Sequence, residues 1–440
     1  MKSNSVASRR KVLLIAYSFP PRTAVGSVRA EGLAKYLPKY GWDVSVLTAD
    51  HPGGPEPRYE VYEATHRHWL RRFESMGSMA SANTTNGSGH SLKGFRSSLK
   101  ASARLLVCYP DPQIGWYKAA VSTGRSVISR ERIDVILSTS KPETAHLVAS
   151  ALKAYSSLPW VADLRDLWTQ NHYHTGFLWS LRRILETRLE KRTLGSADAI
   201  VSVSEPLCSE LSKLHPDKMT LAIPNGFDPE TYETGPHSLT RELSITYTGS
   251  LYDGRRDPGP LFKVVYKLYS RGMIDPNTFR VRFFGSDVRL VKHIAALHGV
   301  ERFVEAHPRI PRNEILLRQR ESHVLLSINW NRSEEEGVYT GKLFEYLAAK
   351  RPILAIGGPG GVVKSLLEST GAGNYASSER EIQQILEVWV AEYLHSGMVQ
   401  YRGNAAKIWE YSHDGMARSF ANLLNAVSAT GQRESSPHFA

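Results

Sequence analysis

Short apolar runs recur along the chain, and each is followed by a glycine, proline or polar break and then by a stretch of helical periodicity. Val12 to Ala16 is a continuous apolar run, the pattern of a strand buried on both faces of a parallel sheet. Pro20 and Pro21 disfavour helix after it. Gly26 and Ser27 then open a helical pattern carrying Val28, Leu33, Tyr36 and Leu37, which Gly41 ends. Val44 to Leu47 completes a strand–helix–strand unit. Ile133 to Leu137, Trp160 to Ala162, Ala199 to Val203 and Met219 to Ile223 continue the series until Pro224-Asn225-Gly226 interrupts it.

The same grammar restarts at Leu243 to Thr248, followed by Gly249 and a helix from Pro260 to Leu268. Val281 to Phe284 before Gly285, Val324 to Ile328, and Ile353 to Ile356 before Gly357-Gly358 read as further strands. The expectation is an α/β protein of two Rossmann-like domains: residues 1–228, residues 229–404, and a last helix and tail over 405–440. That last helix, about Ala405 to Val427, either crosses back to the first domain or stays on its own.

A chain of 440 residues holds two cores. With 41% hydrophobic and 22% charged residues it has a globular composition. The net charge of +12 asks for an anionic partner, and no nucleic-acid-binding motif accompanies it, so nucleic acid is set aside. Cys108 and Cys208 are too few and too far apart for a disulfide framework, which fits a reducing cytoplasm. The apolar run after the basic N-terminus is too short for a secretion signal, and no run is long enough to span a bilayer.

Ser75 to Gly89 reads as a loop. Beyond it Leu92, Phe95, Leu99, Ala103 and Leu106 recur at helical spacing beside Lys93, Arg96, Lys100 and Arg104. Residues 92–107 therefore read either as an amphipathic helix on an anionic membrane or as a core-packed helix with a solvated basic face.

Several residues carry candidate chemistry. Glycines at strand ends (Gly249, Gly285, Gly357, Gly358) let a phosphate approach the backbone, although a tight turn is the commoner use. Asp163-Leu164-Arg165-Asp166 follows a buried strand and falls where open α/β sheets bind ligands; its alternative is a structural pairing of Arg165 with one aspartate. Gly341, Lys342 and Glu345 open a helix, where a lysine can neutralise a diphosphate and a carboxylate can hold ribose hydroxyls; the alternative is a helix-capping and surface-charge pattern. Arg255 and Arg256 either complete a cationic clamp or form a solvated pair. His172 and His174 lack the companion ligands a metal site needs.

Together these segments resemble glycosyltransferase family 4. The resemblance rests on Tyr17 to Leu37, Pro159 to Trp168, Ser196 to Ser204, Ile223 to Asp228, Tyr247 to Pro258 and Gly341 to Gly357. It implies the GT-B fold, with two Rossmann-like domains facing each other across a cleft, and transfer with retention from a nucleotide-diphosphate sugar without a metal or other cofactor. It also implies that Arg256, Lys342 and glycine amides hold the diphosphate, that Glu345 holds the ribose, and that Gly26 and Asp163 to Asp166 face the donor.

The chain departs from the family pattern at three places. With seven residues between the family's two glutamates, the first would fall on Gly337, and Glu334, Glu335 and Glu336 stand just before it. Asp163, Arg165 and Asp166 occupy the region of a usual histidine. Ser250 stands where an arginine is common. The expected activity is transfer from a UDP-sugar to a lipid-linked or saccharide acceptor of surface-polysaccharide assembly, in the cytoplasm or peripherally on the inner face of the membrane. The alternatives are a nucleotide-sugar epimerase and a GT-B scaffold that binds without turnover.

Overall fold

The computed structural model describes residues 9–21, 25–49, 59–65, 109–170, 177–232, 238–330 and 336–434. The chain divides into two compact units, residues 1–223 with 417–440, and residues 224–416.

In the first unit seven parallel strands are β1 (Arg10–Ala16), β2 (Trp42–Ala49), β3 (Glu60–Ala64), β4 (Val135–Thr139), β5 (Trp160–Leu164), β6 (Ala199–Ser202) and β7 (Met219–Ala222). Their order is β3-β2-β1-β4-β5-β6-β7. The helices are α1 (Val25–Tyr36), α2 (Tyr117–Arg130), α3 (Thr144–Ser156), α4 (Phe177–Leu194) and α5 (Glu205–Leu214). β1, β4 and β5 are buried almost throughout, because a parallel sheet covered on both faces has no solvated side. The core on one face of this sheet gathers Leu13, Ile15, Trp116, Leu152, Trp160 and Leu194.

The second unit begins with a short helix α6 (Pro229–Tyr232). Its strands are β8 (Leu243–Thr248), β9 (Phe279–Phe284), β10 (Val304–His307), β11 (Val324–Ile328), β12 (Ile353–Ile356) and β13 (Gly373–Ala376). All are parallel, in the order β10-β9-β8-β11-β12-β13. Counted within the unit this is the 3-2-1-4-5-6 order of a dinucleotide-binding fold, which switches direction between β8 and β11. The helices are α7 (Gly259–Ser270), α8 (Val288–Leu297), α9 (Arg312–Arg320), α10 (Gly341–Ala349), α11 (Gly361–Thr370), α12 (Glu379–Ser396) and α13 (Ala405–Trp409), and α14 (His413–Glu434) starts in this unit but from Ala417 belongs to the first. A capping box in which Ser378 and Glu381 satisfy each other's backbone amides starts α12.

Two boundaries differ from the sequence reading. Residues 224–228 belong to the second unit, because Phe227 donates its amide to the Tyr411 carbonyl (3.1 Å) and accepts the His413 amide (2.7 Å). Gly226 is needed there, since a Cβ would lie 2.6 Å from the Ser412 backbone. At the other end, the helix expected over Ala405 to Val427 is broken between Trp409 and His413, and residues 405–416 stay with the second unit while 417–440 group with the first. The segment 92–107 lies outside the described residues, as do His172, His174, Glu334 and Glu335. Among the described residues no helix is long and apolar enough to cross a membrane.

Candidate functional site

The second unit assembles a cationic site at its switch point. β8 ends at Thr248, and the chain turns through Gly249 at φ +124°. Gly285, at the end of the neighbouring β9, must lack a side chain, because a Cβ would come within 2.1 Å of the Gly249 carbonyl oxygen. Beyond β11, α10 begins at Gly341 and carries Lys342 back to this point. A Cβ on Gly249 would lie 2.9 Å from Lys342 Nζ, which sits 3.7 Å from the centre of the Tyr247 ring.

The Lys342 side chain is only half-buried as a whole, yet its Nζ is enclosed and has no hydrogen-bond partner. Burial pushes its pKa well below the ordinary lysine value, the Arg256 charge adds to that depression, and Glu345 opposes it. Arg256 lies over the Tyr252 ring at 4.5 Å with its Nε unpartnered. An enclosed cation without an acceptor is expensive to keep in an empty protein, and an anion drawn to it would remove the cost.

The remaining expected residues are distributed around this centre. Glu345, one turn beyond Lys342, pairs with Arg312 at 2.8 Å and accepts from Gln319 Nε2 at 3.3 Å. Arg255 is exposed and stacks over Trp330 at 5.1 Å, so the two arginines diverge and only Arg256 acts electrostatically on Lys342. The Ser250 hydroxyl donates to Asp287 Oδ2 at 2.9 Å and is engaged in shaping the loop, which the Leu251 amide also anchors on Asp287 at 2.9 Å. At Gly341 a Cβ would meet open space, so that glycine answers no steric demand. Glu336 has an exposed side chain; its carbonyl accepts the Val362 amide at 2.8 Å, and Gly361 at φ +51° packs against it. Arg312, Gln319, Tyr247 and Asp287 are site residues that sequence reasoning missed, and only Asp287, just after the strand-end Gly285, stood in a suggestive position.

In the first unit the structure corrects the reading of Asp163. β5 runs through Leu164, two residues past the end of the apolar run, so Asp163 lies inside the sheet at 0% exposure. It receives two hydrogen bonds from Arg29, Nε to Oδ2 at 2.9 Å and Nη2 to Oδ1 at 2.8 Å, and a third from Thr139 Oγ1 at 2.7 Å. The structural arginine–carboxylate pair thus exists, and its arginine is Arg29 rather than Arg165. Arg165 donates its Nε to the Ser140 carbonyl, and its Nη2 would lie 3.0 Å from a Cβ on Gly26. Arg165 and Gly26 are therefore neighbours at the carboxyl edge, and Asp166 is exposed beside them. Among the described residues no three His, Cys, Asp or Glu side chains converge as metal ligands.

The same edge holds a carboxyl group that sequence reasoning did not single out. Glu143 precedes α3 and is pushed up to about 7 by burial, against the nearby Lys141 charge and reinforced by Asp111. Because its folded value lies above the ordinary 4.5, its contribution to stability is complete below about pH 4.5 and is lost as pH rises through about 7. Glu143→Gln should therefore be more stable than the parent at pH 8 by about 3 kcal/mol, with the gain vanishing near pH 4.5. Urea titrations of both proteins at the two pH values check this.

Comparison with known proteins bears on these sites. Residues 26–226 match the model of the glycosyl transferase 4-like domain. No curated protein sequence matches the chain. Among solved structures, Anabaena Alr3699/HepE in complex with UDP and glucose is 13% identical, with a TM-score of 0.59 over 95% of this chain and 100% of that one. The lipopolysaccharide outer core galactosyltransferase WaaB in its apo form is 10% identical, with a TM-score of 0.55 over 94% and 99%. A UDP-N-acetylglucosamine 2-epimerase, described as putative in its own name and from Listeria monocytogenes, is 13% identical, with a TM-score of 0.50 over 97% and 98%. These likenesses establish the GT-B fold, with two Rossmann-like domains.

Proposed function

We propose that the protein is a retaining glycosyltransferase that moves a sugar from a UDP-sugar to a lipid-linked or saccharide acceptor in surface-polysaccharide assembly. The observation that carries this reading is the enclosed, unpartnered Lys342 ammonium beside Gly249 and Arg256 at the switch point of the second unit. A nucleotide's diphosphate supplies the missing acceptors, and backbone amides at the start of α10 add to its binding. As the bond between the sugar and the diphosphate breaks, negative charge grows on the leaving oxygen. Lys342 and Arg256 are placed to stabilise it, the part a metal ion plays in other transferases. Glu345 would exchange Arg312 for the ribose hydroxyls. Arg165 and Gly26 are the first-unit residues proposed to meet the reacting groups, with Asp166 beside them, whereas Asp163 holds Arg29.

UDP as the nucleotide is supported by the HepE structure, which contains UDP and glucose. The acceptor class is supported by the match to the glycosyl transferase 4-like domain and by the basic, amphipathic pattern of residues 92–107. A second reading, a nucleotide-sugar epimerase, is favoured by the likeness to the Listeria protein. Measuring UDP release with and without saccharide acceptors separates the two. Release that depends on acceptor supports transfer. Conversion of the donor's sugar with no acceptor present would establish the epimerase instead, and neither activity would leave a scaffold.

A further inference from the structure

Helix α4 separates its charges by face. Its sequence holds two acids, Glu186 and Glu190, and both are buried, at 2% and 0% exposure. Glu186 accepts from Trp168 Nε1 and from Arg182 Nε, each at 2.8 Å, and Glu190 accepts from the Thr169 hydroxyl. Facing outward instead are Arg183, Arg188, Lys191 and Arg192, all exposed and none with an ion-pair partner among the described residues. On the arc of Arg188, Lys191 and Arg192, Ile184 and Leu185 are 58% and 55% exposed. Ile184, Arg188 and Lys191 follow one another at i, i+4 and i+7, and Leu185, Arg188 and Arg192 at i, i+3 and i+7, so apolar tips and cations form continuous stripes.

We infer that the outer face of α4 docks on an anionic lipid surface. Charge complementarity selects this occupant: Arg188, Lys191 and Arg192, without ion-pair partners among the described residues, share the arc with two protruding aliphatic side chains, and both acids of the helix are turned inward. A bilayer supplies both the anionic headgroups for the cations and an apolar layer for Ile184 and Leu185. An acidic protein or a nucleic acid would match the charge and leave the aliphatic pair without a partner. The helix starts from the carboxyl edge of the first unit's sheet, which carries Arg165 and Asp166, so docking would bring that edge near the membrane. The purpose of docking rests on the proposed lipid-linked acceptor, but the surface itself can be tested without it.

The test is flotation of the full chain with phosphatidylcholine vesicles containing about one-third phosphatidylglycerol, at about 0.1 M salt. The wild type should float with these vesicles, stay behind with pure phosphatidylcholine, and be released at high salt. Arg188→Glu with Lys191→Glu, and separately Ile184→Ser with Leu185→Ser, should each weaken vesicle binding by about tenfold or more. Both changes are on exposed positions, and an unchanged circular dichroism spectrum shows that the fold is kept. The proposal is overturned if the wild type does not bind, if both variants bind as the wild type does, or if the chain binds heparin but no vesicle. The vesicles hold no sugar acceptor, so this outcome is independent of transfer, which is read separately with a soluble saccharide acceptor.

Discussion

Lys342→Met should reduce sugar transfer by about 10²- to 10³-fold while making the second unit more resistant to heat. The two effects have one cause. In the ligand-free protein the Nζ is enclosed without an acceptor, and its pKa is depressed by burial and by Arg256. The unfolded chain therefore holds this proton more tightly than the folded one. Stability rises with pH between the depressed folded value and the ordinary 10.5, and below that window the full penalty remains. Methionine keeps the bulk against Tyr247 and removes the penalty, so a thermal melt at neutral pH should shift upward. During transfer the same charge offsets the developing phosphate charge, and methionine cannot do so. Equal or higher transfer in the variant would remove Lys342 from the site.

A second large effect is expected in the first unit, at Arg29. Arg29→Met should destabilise the first unit by about 3–5 kcal/mol, because it leaves the Asp163 carboxylate buried with Thr139 as its remaining side-chain donor. Arg29 also donates to the Ile223 carbonyl at 2.9 Å and lies over the Phe420 ring at 5.1 Å, so the loss reaches the segment after β7 and helix α14. Replacing both partners, Arg29→Met with Asp163→Leu, should cost less than replacing Arg29 alone, since no uncompensated charge stays inside. Chemical denaturation of the three proteins measures this. If the single variant matches the parent, the pair does not hold the first unit together.

Apart from the half-exposed edge strand β7, the strands the sequence made legible are those buried on both faces, where apolar residues run with few breaks. The three it hid, β3, β10 and β13, each close one edge of a sheet, and their residues Glu60–Ala64, Val304–His307 and Gly373–Ala376 are partly solvated and mixed in polarity. An edge strand meets neighbours on one side only and does not need an apolar run. Asp163 was misread for a related reason. The apolar run stops at Ala162, and the partner that lets a carboxylate continue the strand is 134 residues away in sequence. The break between α13 and α14 depends likewise on Phe227 pairing across to Tyr411 and His413.

For the site, residue types were legible and their company was not. The glycines and Lys342 stood at strand ends and a helix start, where parallel α/β folds bind phosphates. That Lys342 reaches Gly249, that Arg256 rather than Arg255 joins it, and that Glu345 is held by Arg312 all depend on which loops the strand order brings together. Ser250 shows the limit most clearly. Its position suggested a ligand, and the structure gives its hydroxyl to Asp287.

The central claim, that the second unit holds a nucleotide diphosphate on Lys342, is tested most directly by calorimetric titration of UDP, GDP and ADP. The titrations use the wild type, Lys342→Met and Glu345→Ala, in buffers of different ionisation heat at about pH 9. UDP should bind the wild type most tightly and draw a proton from the buffer, because the diphosphate raises the pKa of the enclosed ammonium. Lys342→Met should lose both the proton uptake and most of the affinity, and Glu345→Ala should lose affinity while keeping the uptake. Failure of all three nucleotides to bind the wild type, or UDP binding unchanged in Lys342→Met, would contradict the account.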